Sequence, residues 1–189
     1  METAPALSPP ASSWSLGLDH SVTLRPIRPE DADLELAFLR ALSPESLYNR
    51  VFSARPALTP AGLERLVRID FARDMAIIAT VTLDGSETQI GVARYVRLED
   101  GTSCEFALTV ADAWQGCGVG SRLLRELVAI AGRSGITEMV GDVLATNKAM
   151  LALVRKRGMA IQPHPDGGTL RRVLFALPVA ARDAAGAGA

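Results

Sequence analysis

Residues 110–121 form a glycine-rich segment of a type that binds anions. They read Val-Ala-Asp-Ala-Trp-Gln-Gly-Cys-Gly-Val-Gly-Ser and lie between an apolar, strand-like stretch and a helical pattern. Glycine lets a ligand approach the backbone closely, and the first turn of a helix presents unpaired N–H groups at a positive dipole end. The segment therefore predicts a phosphate or pyrophosphate site. The same glycines would also permit close packing of helix against strand, and the pattern alone leaves both interpretations open.

Two well-known phosphate loops do not match this segment. The Walker loop requires GxxxxGK[ST], but Gly120 is followed by Ser121 and Arg122, with no lysine nearby. The dinucleotide fingerprint requires GxGxxG directly after a strand, whereas the glycines here are spaced GxGxG after a short polar loop. The sequence therefore indicates an anion site of another type.

Charge and cysteine content exclude several other functions. The chain has 189 residues, with 20 basic and 21 acidic side chains, so it lacks the net positive charge of a nucleic-acid binder. No apolar run approaches the about 20 residues of a membrane helix, and the first residues do not resemble a secretion signal. Cys104 and Cys117 have neither disulfide-framework nor zinc-site spacing. We expect a cytoplasmic protein that uses no metal, nucleic acid or membrane.

Hydrophobic periodicity predicts the elements that position the loop. A period of two marks strands, a period near 3.6 marks helices, and Asp-Gly pairs mark hairpin turns. We predict a strand at 22–27, two or three helices within 30–68, an antiparallel meander at 75–83, 89–98 and 103–110, a helix at 118–134, a strand at 138–144, a helix at 147–157 and a hairpin around 166–167 with its last strand at 169–177. Residues 1–20 and 178–189 lack periodicity and are predicted to be disordered tails around one domain, 21–177.

The loop resembles the pyrophosphate loop of the GNAT superfamily of N-acetyltransferases. That pattern is a strand ending in Val, a short loop, and then Gln or Arg, x, x, Gly, x, Gly or Ala, with Gln115, Gly118 and Gly120 in the matching positions. Residues 147–159 resemble the second motif of the superfamily, an Asn that opens a helix ending in Gly and an apolar residue. Five further segments resemble the acetyltransferase domain of bacterial Pat-type protein lysine acetyltransferases: 24–31, 42–46, 68–70, 91–95 and 141–144.

The resemblance spans residues 22–177 and implies a fold and a co-substrate. The implied fold is α+β (mixed α/β), a GNAT-like acyl-CoA N-acyltransferase fold with a central twisted, mostly antiparallel sheet of six to seven strands and helices on both faces. The implied co-substrate is acetyl-CoA. The backbone N–H groups of Leu108 and Val110 would bind its pantetheine arm and polarise the thioester carbonyl. The full set of expected cofactor-binding residues is Leu108, Thr109, Val110, Gln115, Gly116, Cys117, Gly118, Val119, Gly120, Ser121 and Asn147. Asn147 is equally well interpreted as a helix N-cap.

Glu105 is the candidate general base. An amine of lysine has an ordinary pKa of about 10.4, so attack on a thioester requires removal of a proton. Glu105 lies in an apolar strand, where burial should raise its pKa toward neutrality. The resemblance carries the same role to it, often acting through water. The alternative is a glutamate at a solvated strand end.

Two further positions bear on the mechanism. Val154 stands where many superfamily members have a tyrosine that is thought to protonate the leaving thiolate, and valine cannot donate a proton. Water, or no acid at all, can suffice because coenzyme A thiolate is a good leaving group. Asp70 is a candidate for holding a cationic acceptor, with a surface salt bridge as the alternative.

The sequence thus favours an acetyl-CoA-dependent N-acetyltransferase that acts on protein lysines, for example those of an acyl-CoA synthetase. One alternative is a small-molecule amine acetyltransferase, and another is a non-catalytic acyl-CoA-binding sensor. A sensor would not need a carboxylate in an apolar strand, so Glu105 favours the enzyme. Monomer and homodimer are both compatible with the sequence.

Overall fold

The structure, a computed structural model, describes residues 11–17, 20–51 and 59–178. Its elements in chain order are β1 (Ser12–Leu16), β2 (His20–Pro26), α1 (Ala32–Ala41), α2 (Pro44–Val51), α3 (Pro60–Val67), β3 (Met75–Leu83), β4 (Ser86–Arg97), β5 (Ser103–Val110), α4 (Val119–Arg133), β6 (Glu138–Leu144), α5 (Lys148–Lys156), β7 (Ala160–Pro163) and β8 (Leu170–Ala176). From β2 onward, the predicted helices and strands are confirmed to within a few residues.

The eight strands of the described chain form one sheet in the order β1-β2-β3-β4-β5-β6-β8-β7. All neighbours are antiparallel except β5 and β6, which are parallel and are connected through α4. The mixed fold with a mostly antiparallel sheet is therefore confirmed, with one strand more than the six to seven predicted.

The additional strand is β1, which lies inside the segment predicted to be a tail. It pairs with β2 from Ser12↔Leu24 to Leu16↔His20. Trp14 and Leu16 are half-buried and pack on the core, so apolar side chains at alternate positions hold the strand in place. The tail prediction is wrong for these residues, whereas positions 1–10, 18, 19 and 179–189 lie outside the described residues.

The helices cover both faces of the sheet, as predicted. Alternate residues of β3 point to opposite sides, with Ile77 and Ala79 in one hydrophobic cluster and Ala76 and Ile78 in another. The first cluster includes the buried face of α4, and the second includes that of α1. No helix in the described part of the chain is long and apolar enough to cross a membrane.

Strands β5 and β6 separate shortly after they meet. Their parallel register covers only three pairs, from Ser103↔Glu138 to Glu105↔Val140. Beyond this point the ring of Phe106 lies against Gly141, where a Cβ atom would come within 2.9 Å of Phe106 Cε1. The separation opens a cleft along the second half of β5, and alternate backbone groups of that strand face the cleft rather than a paired strand.

Candidate active site

The cleft brings together residues from β5, β6, α2 and the start of α5. Its lining consists of Asn49, Arg50, Glu105, Phe106, Ala107, Leu108, Thr109, Gly141, Asp142, Val143, Asn147 and Met150. Four residues of the sequence prediction are among them: Glu105, Leu108, Thr109 and Asn147. Clefts formed where adjacent strands of a sheet diverge are common ligand sites.

The glycine loop continues from the end of β5 into α4. Gly118 has φ of 93°, in the left-handed region, and directly precedes the first residue of the helix. A Cβ atom at Gly116 or Gly118 would have no neighbour within 4 Å, so the loop leaves open space beside the first-turn N–H groups. At Gly120, in contrast, a Cβ atom would touch Val110 and two leucines at 3.4–3.6 Å. Gly120 therefore fits the packing interpretation, whereas the open positions of Gly116 and Gly118 are compatible with the predicted anion site.

Side chains fix the loop against α2. Gln115 Nε2 donates to the backbone oxygen of Val110 and to Ser46 Oγ, both at 3.1 Å. Asp112 accepts hydrogen bonds from the N–H and hydroxyl of Ser43 and from the hydroxyl of Ser46. Although burial opposes ionisation of Asp112, these bonds hold its pKa below the ordinary value. Gln115, which the sequence analysis expected to bind the cofactor, thus stabilises the loop through these two hydrogen bonds.

Glu105 is exposed, and the expectation that it is buried is wrong. Cys104 and Phe106, on either side of it, are buried in the core. Because successive side chains of a strand point to opposite faces, Glu105 points away from that core and into the mouth of the cleft. Its position fits the alternative of a glutamate in contact with solvent. The argument from burial no longer supports it as a base, but its place in the cleft does.

A second carboxylate, that of Asp142 on β6, also lines the cleft, but it is already engaged by Arg172 and His164. Arg172 Nε lies 2.6 Å from Asp142 Oδ1, and His164 Nε2 lies 3.2 Å from Oδ2. The backbone N–H of Asp166 donates to His164 Nδ1 at 3.2 Å, and Arg172 Nη2 lies 2.9 Å from His164 Nε2, so Asp142, His164 and Arg172 form one connected group. Within the described residues, Glu105 has no ion-pair partner, which makes it the cleft carboxylate free to accept a proton.

A buried charge cluster, which the sequence analysis missed, lies beside the cleft. Glu35 is fully buried on α1 and accepts hydrogen bonds from Arg50 Nη2 at 3.2 Å and from Gln89 Nε2. Arg94 Nη2 lies 3.6 Å from the same carboxylate. Arg50 Nη1 also donates to Thr109 Oγ1 at 3.2 Å. The sequence feature that could have indicated this cluster is the position of Glu35, a charged residue on the otherwise apolar face of a helix.

Burial lowers the pKa of both arginines in this cluster. Desolvation lowers the pKa of Arg50, against the attraction of Glu35. It lowers the pKa of Arg94 to about 10, and the positive charge of Arg50 adds to the effect. An arginine side chain keeps its proton in proteins, so both guanidinium groups carry a positive charge. The cluster therefore presents a permanent positive charge.

Of three further residues considered in the sequence analysis, Asn147 lines the cleft, whereas Val154 and Asp70 do not. Asn147 Oδ1 accepts from the N–H of Met150 at 3.0 Å, so the N-cap interpretation is confirmed for a residue that also lines the cleft. Val154 is fully buried and offers no proton. Asp70 is exposed, accepts from the N–H of Ala72 in a turn, and is not part of the cleft lining. The structure does not bring Asp70 to the site.

Among the described residues, no three His, Cys, Asp or Glu side chains lie together as a metal site. The groups that the cleft and its surroundings offer for chemistry are Glu105, the backbone of β5 and the glycine loop. A strand that splays from its parallel neighbour and continues through a glycine loop into a helix is the arrangement that the sequence resemblance implies for acyl-CoA-dependent transfer.

Comparison with known proteins gives the same class. The family profile described as "Acetyltransferase (GNAT) domain" matches residues 21–160. The chain therefore belongs to the GNAT acetyltransferase family, and it is an enzyme of the acyltransferase class.

Particular relatives refine this assignment. The chain is 35% identical to acetyltransferase PA5475 of Pseudomonas aeruginosa, over 82% of this chain and 85% of that protein. It is 34% identical to acetyltransferase Pat of Mycolicibacterium smegmatis over 82% of its own length, but it spans only 46% of that relative. The solved GNAT domain of S. lividans PAT superimposes with a TM-score of 0.79 at 28% identity, covering 88% of this chain and 97% of that domain. The chain is therefore close to Pat-type acetyltransferases.

Proposed function

We propose that the protein transfers the acetyl group of acetyl-CoA to the side-chain amine of protein lysines, with Glu105 as general base. The observation that carries the proposal is the position of Glu105, a carboxylate without an ion partner among the described residues, at the mouth of the cleft between β5 and β6. Strand β5, which lines this cleft, continues into a glycine loop with open space beside the N–H groups at the start of α4.

The residues present fit acetyl-CoA. The N–H groups at the start of α4 and the open positions of Gly116 and Gly118 suit a pyrophosphate. The backbone N–H groups of Leu108 and Val110 would hold the pantetheine arm and polarise the thioester carbonyl. Bound there, acetyl-CoA supplies an activated acetyl group with a good thiolate leaving group.

The role of Glu105 follows from its exposure. A protonated amine that enters the mouth of the cleft meets this carboxylate first, and Glu105 accepts its proton directly or through water. The neutral amine then forms a C–N bond to the carbonyl carbon, the C–S bond breaks, and the electron pair leaves with the sulfur. The nitrogen gives its second proton to water as the amide forms. Asp142 is a poorer base because Arg172 and His164 already bind its oxygens.

Support for a protein lysine as acceptor comes from the similarity to Pat-type relatives and from the exposure of Glu105. A cleft whose base is in contact with solvent can receive a side chain that projects from another protein. Cytoplasmic location and an acyl-CoA synthetase as acceptor are part of this proposal and come from the sequence analysis.

The test is release of free thiol from acetyl-CoA by wild type and Glu105→Gln over pH 6 to 9. Acceptors would be a lysine-bearing acyl-CoA synthetase and a panel of small amines. The matched control is Glu138→Gln, an exposed strand glutamate outside the cleft lining. We expect acetylation of the protein by wild type and control, and its loss in Glu105→Gln. Turnover of small amines alone would contradict the lysine assignment, and tight cofactor binding without any turnover would indicate a sensor.

A further inference from the structure

The buried cluster beside the cleft carries more positive than negative charge. Its charged members among the described residues are Glu35, Arg50 and Arg94, and their sum is one positive charge. The side chain of Arg50 is 7% exposed and that of Glu35 is 0% exposed. A buried charge without a partner of opposite sign lowers the stability of the folded protein. Such charges cluster at functional sites, which makes this one a candidate for a role in the reaction.

Arg50 holds this charge at the wall of the cleft. Its guanidinium donates to Thr109 Oγ1, and both residues line the cleft. Thr109 lies between Leu108 and Val110, the residues whose backbone is expected to hold the pantetheine arm. Residues 105, 107 and 109 share one face of β5, so Arg50 and Glu105 lie on the same side of the strand.

The reaction creates negative charge on the sulfur of coenzyme A. When the C–S bond breaks, the electron pair remains on sulfur, and Val154 cannot supply a proton to it. We propose that Arg50 stabilises the departing coenzyme A thiolate electrostatically, in place of an acid. The ammonium nitrogen loses one proton to Glu105 and a second to water, the thiolate leaves as an anion, and Arg50 keeps its own proton throughout. This inference rests on the proposed function only in requiring that coenzyme A binds in the cleft.

The other charged groups near Arg50 in the described chain are Glu35, Arg94, Asp142 and Glu105, and the first three are paired. Glu35 on α1 pairs with it, and Arg94 on β4 adds a second positive charge. Across the cleft, Asp142 is paired with Arg172 and His164. Glu105 remains as a negative group on β5. Its charge opposes formation of a thiolate, so Glu105 is not the source of any stabilisation, and the variants below separate the arginines from the backbone donors of β5.

The test is the pH dependence of coenzyme A binding, measured by calorimetry between pH 6 and 9.5 with no acceptor present. The reference ligand is desulfo-coenzyme A, which lacks the thiol. An alkyl thiol such as that of cysteine has an ordinary pKa of about 8.5. If Arg50 lowers the pKa of the bound thiol, affinity for coenzyme A rises with pH between the bound and the free pKa, by up to about tenfold per pH unit, and then levels off. Affinity for desulfo-coenzyme A should not show this rise.

Three variants make the outcome decisive. Arg50→Met should lose the rise, and Arg50→Lys should keep part of it because it keeps the charge. Arg94→Met should reduce the rise while leaving the Arg50–Glu35 contact and the cleft wall in place, which keeps the inference testable if Arg50→Met does not fold. An equal rise in wild type and Arg50→Met, or in coenzyme A and desulfo-coenzyme A, would overturn the role of Arg50; if Arg50→Met does not fold, a rise as large in Arg50→Lys and Arg94→Met as in wild type would overturn it. Absence of binding of both ligands to wild type would overturn the proposed function as well.

Discussion

Arg172 Nε lies 2.6 Å from Asp142 Oδ1, and the two residues are register partners on the antiparallel strands β8 and β6. The pair places a neutralised carboxylate on one side of the cleft, while Glu105 stands on the other side without an ion partner in the described chain. Two carboxylates in one cleft therefore have different environments. This difference favours Glu105 as the proposed base and leads to the first prediction.

Glu105→Gln should reduce kcat much more than Asp142→Asn. Removal of a general base costs about 10²- to 10⁴-fold in rate, whereas Asp142 is already engaged by Arg172 and His164. We expect Asp142→Asn to lower kcat less than about tenfold, an effect on positioning of order 1 kcal/mol. Initial rates of thiol release at saturating acetyl-CoA measure both. Equal losses in the two variants would show that the assignment of the base is wrong.

Glu35→Gln should destabilise the protein strongly. The change leaves Arg50 and Arg94 buried without their shared carboxylate. Breaking a buried ion pair from one side costs about 3–5 kcal/mol in free energy of unfolding. Urea denaturation monitored by circular dichroism gives this value. Glu87→Gln is the matched control, because Glu87 is 48% exposed where it contacts Arg25 and should cost about 1 kcal/mol or less.

Stability should fall in acid through Asp31. Burial opposes ionisation of Asp31, but hydrogen bonds from Arg25 and from the N–H of Arg28 outweigh it and hold its pKa below the ordinary value of 3.8. A carboxyl with a lowered folded pKa contributes stability above the unfolded pKa and loses it as the pH falls through the folded pKa. Asp31→Asn should therefore be less stable than wild type at pH 7 and should lose less stability between pH 5 and pH 2.5. Denaturant titrations at several pH values measure this, and parallel pH profiles would contradict it.

The elements and the glycine loop could be predicted from the sequence because their signals are local. Asn147 as an N-cap and the Asp-Gly turns depend on a few neighbouring residues. The pair of Glu35 and Arg50 depends instead on how α1 and α2 pack on β4 and β5, which no local pattern encodes. The burial of Glu105 was mispredicted for a related reason. The alternation of apolar and polar residues predicts which face of the sheet a strand residue lies on. It does not predict which other elements cover that face, and this decides whether the residue is buried.

Gly118→Ala should weaken coenzyme A binding more than Gly120→Ala. Gly118 has φ of 93°, a left-handed conformation that costs a residue with a side chain about 1–2 kcal/mol. Alanine at Gly120 would make ordinary contacts at 3.4 Å or more. We expect a rise of about tenfold in the Kd of Gly118→Ala and a smaller one in Gly120→Ala, measured by calorimetry. The reverse order would mean that the loop is not formed as described.

Cys117 should react with thiol reagents, and Cys104 should not. Burial raises the pKa of Cys104 to about 12, so almost none of it is thiolate at neutral pH, and its side chain is inaccessible in the core. Cys117 is exposed in the glycine loop, between the two open glycines. Titration with an aromatic disulfide at pH 8 should therefore modify one cysteine in the folded protein and two after denaturation.

Because the loop is the expected pyrophosphate site, a bound ligand should slow the reaction of Cys117. Desulfo-coenzyme A is the ligand to use, because it has no thiol that could exchange with the reagent. Unchanged reactivity at saturating ligand would place the pyrophosphate elsewhere.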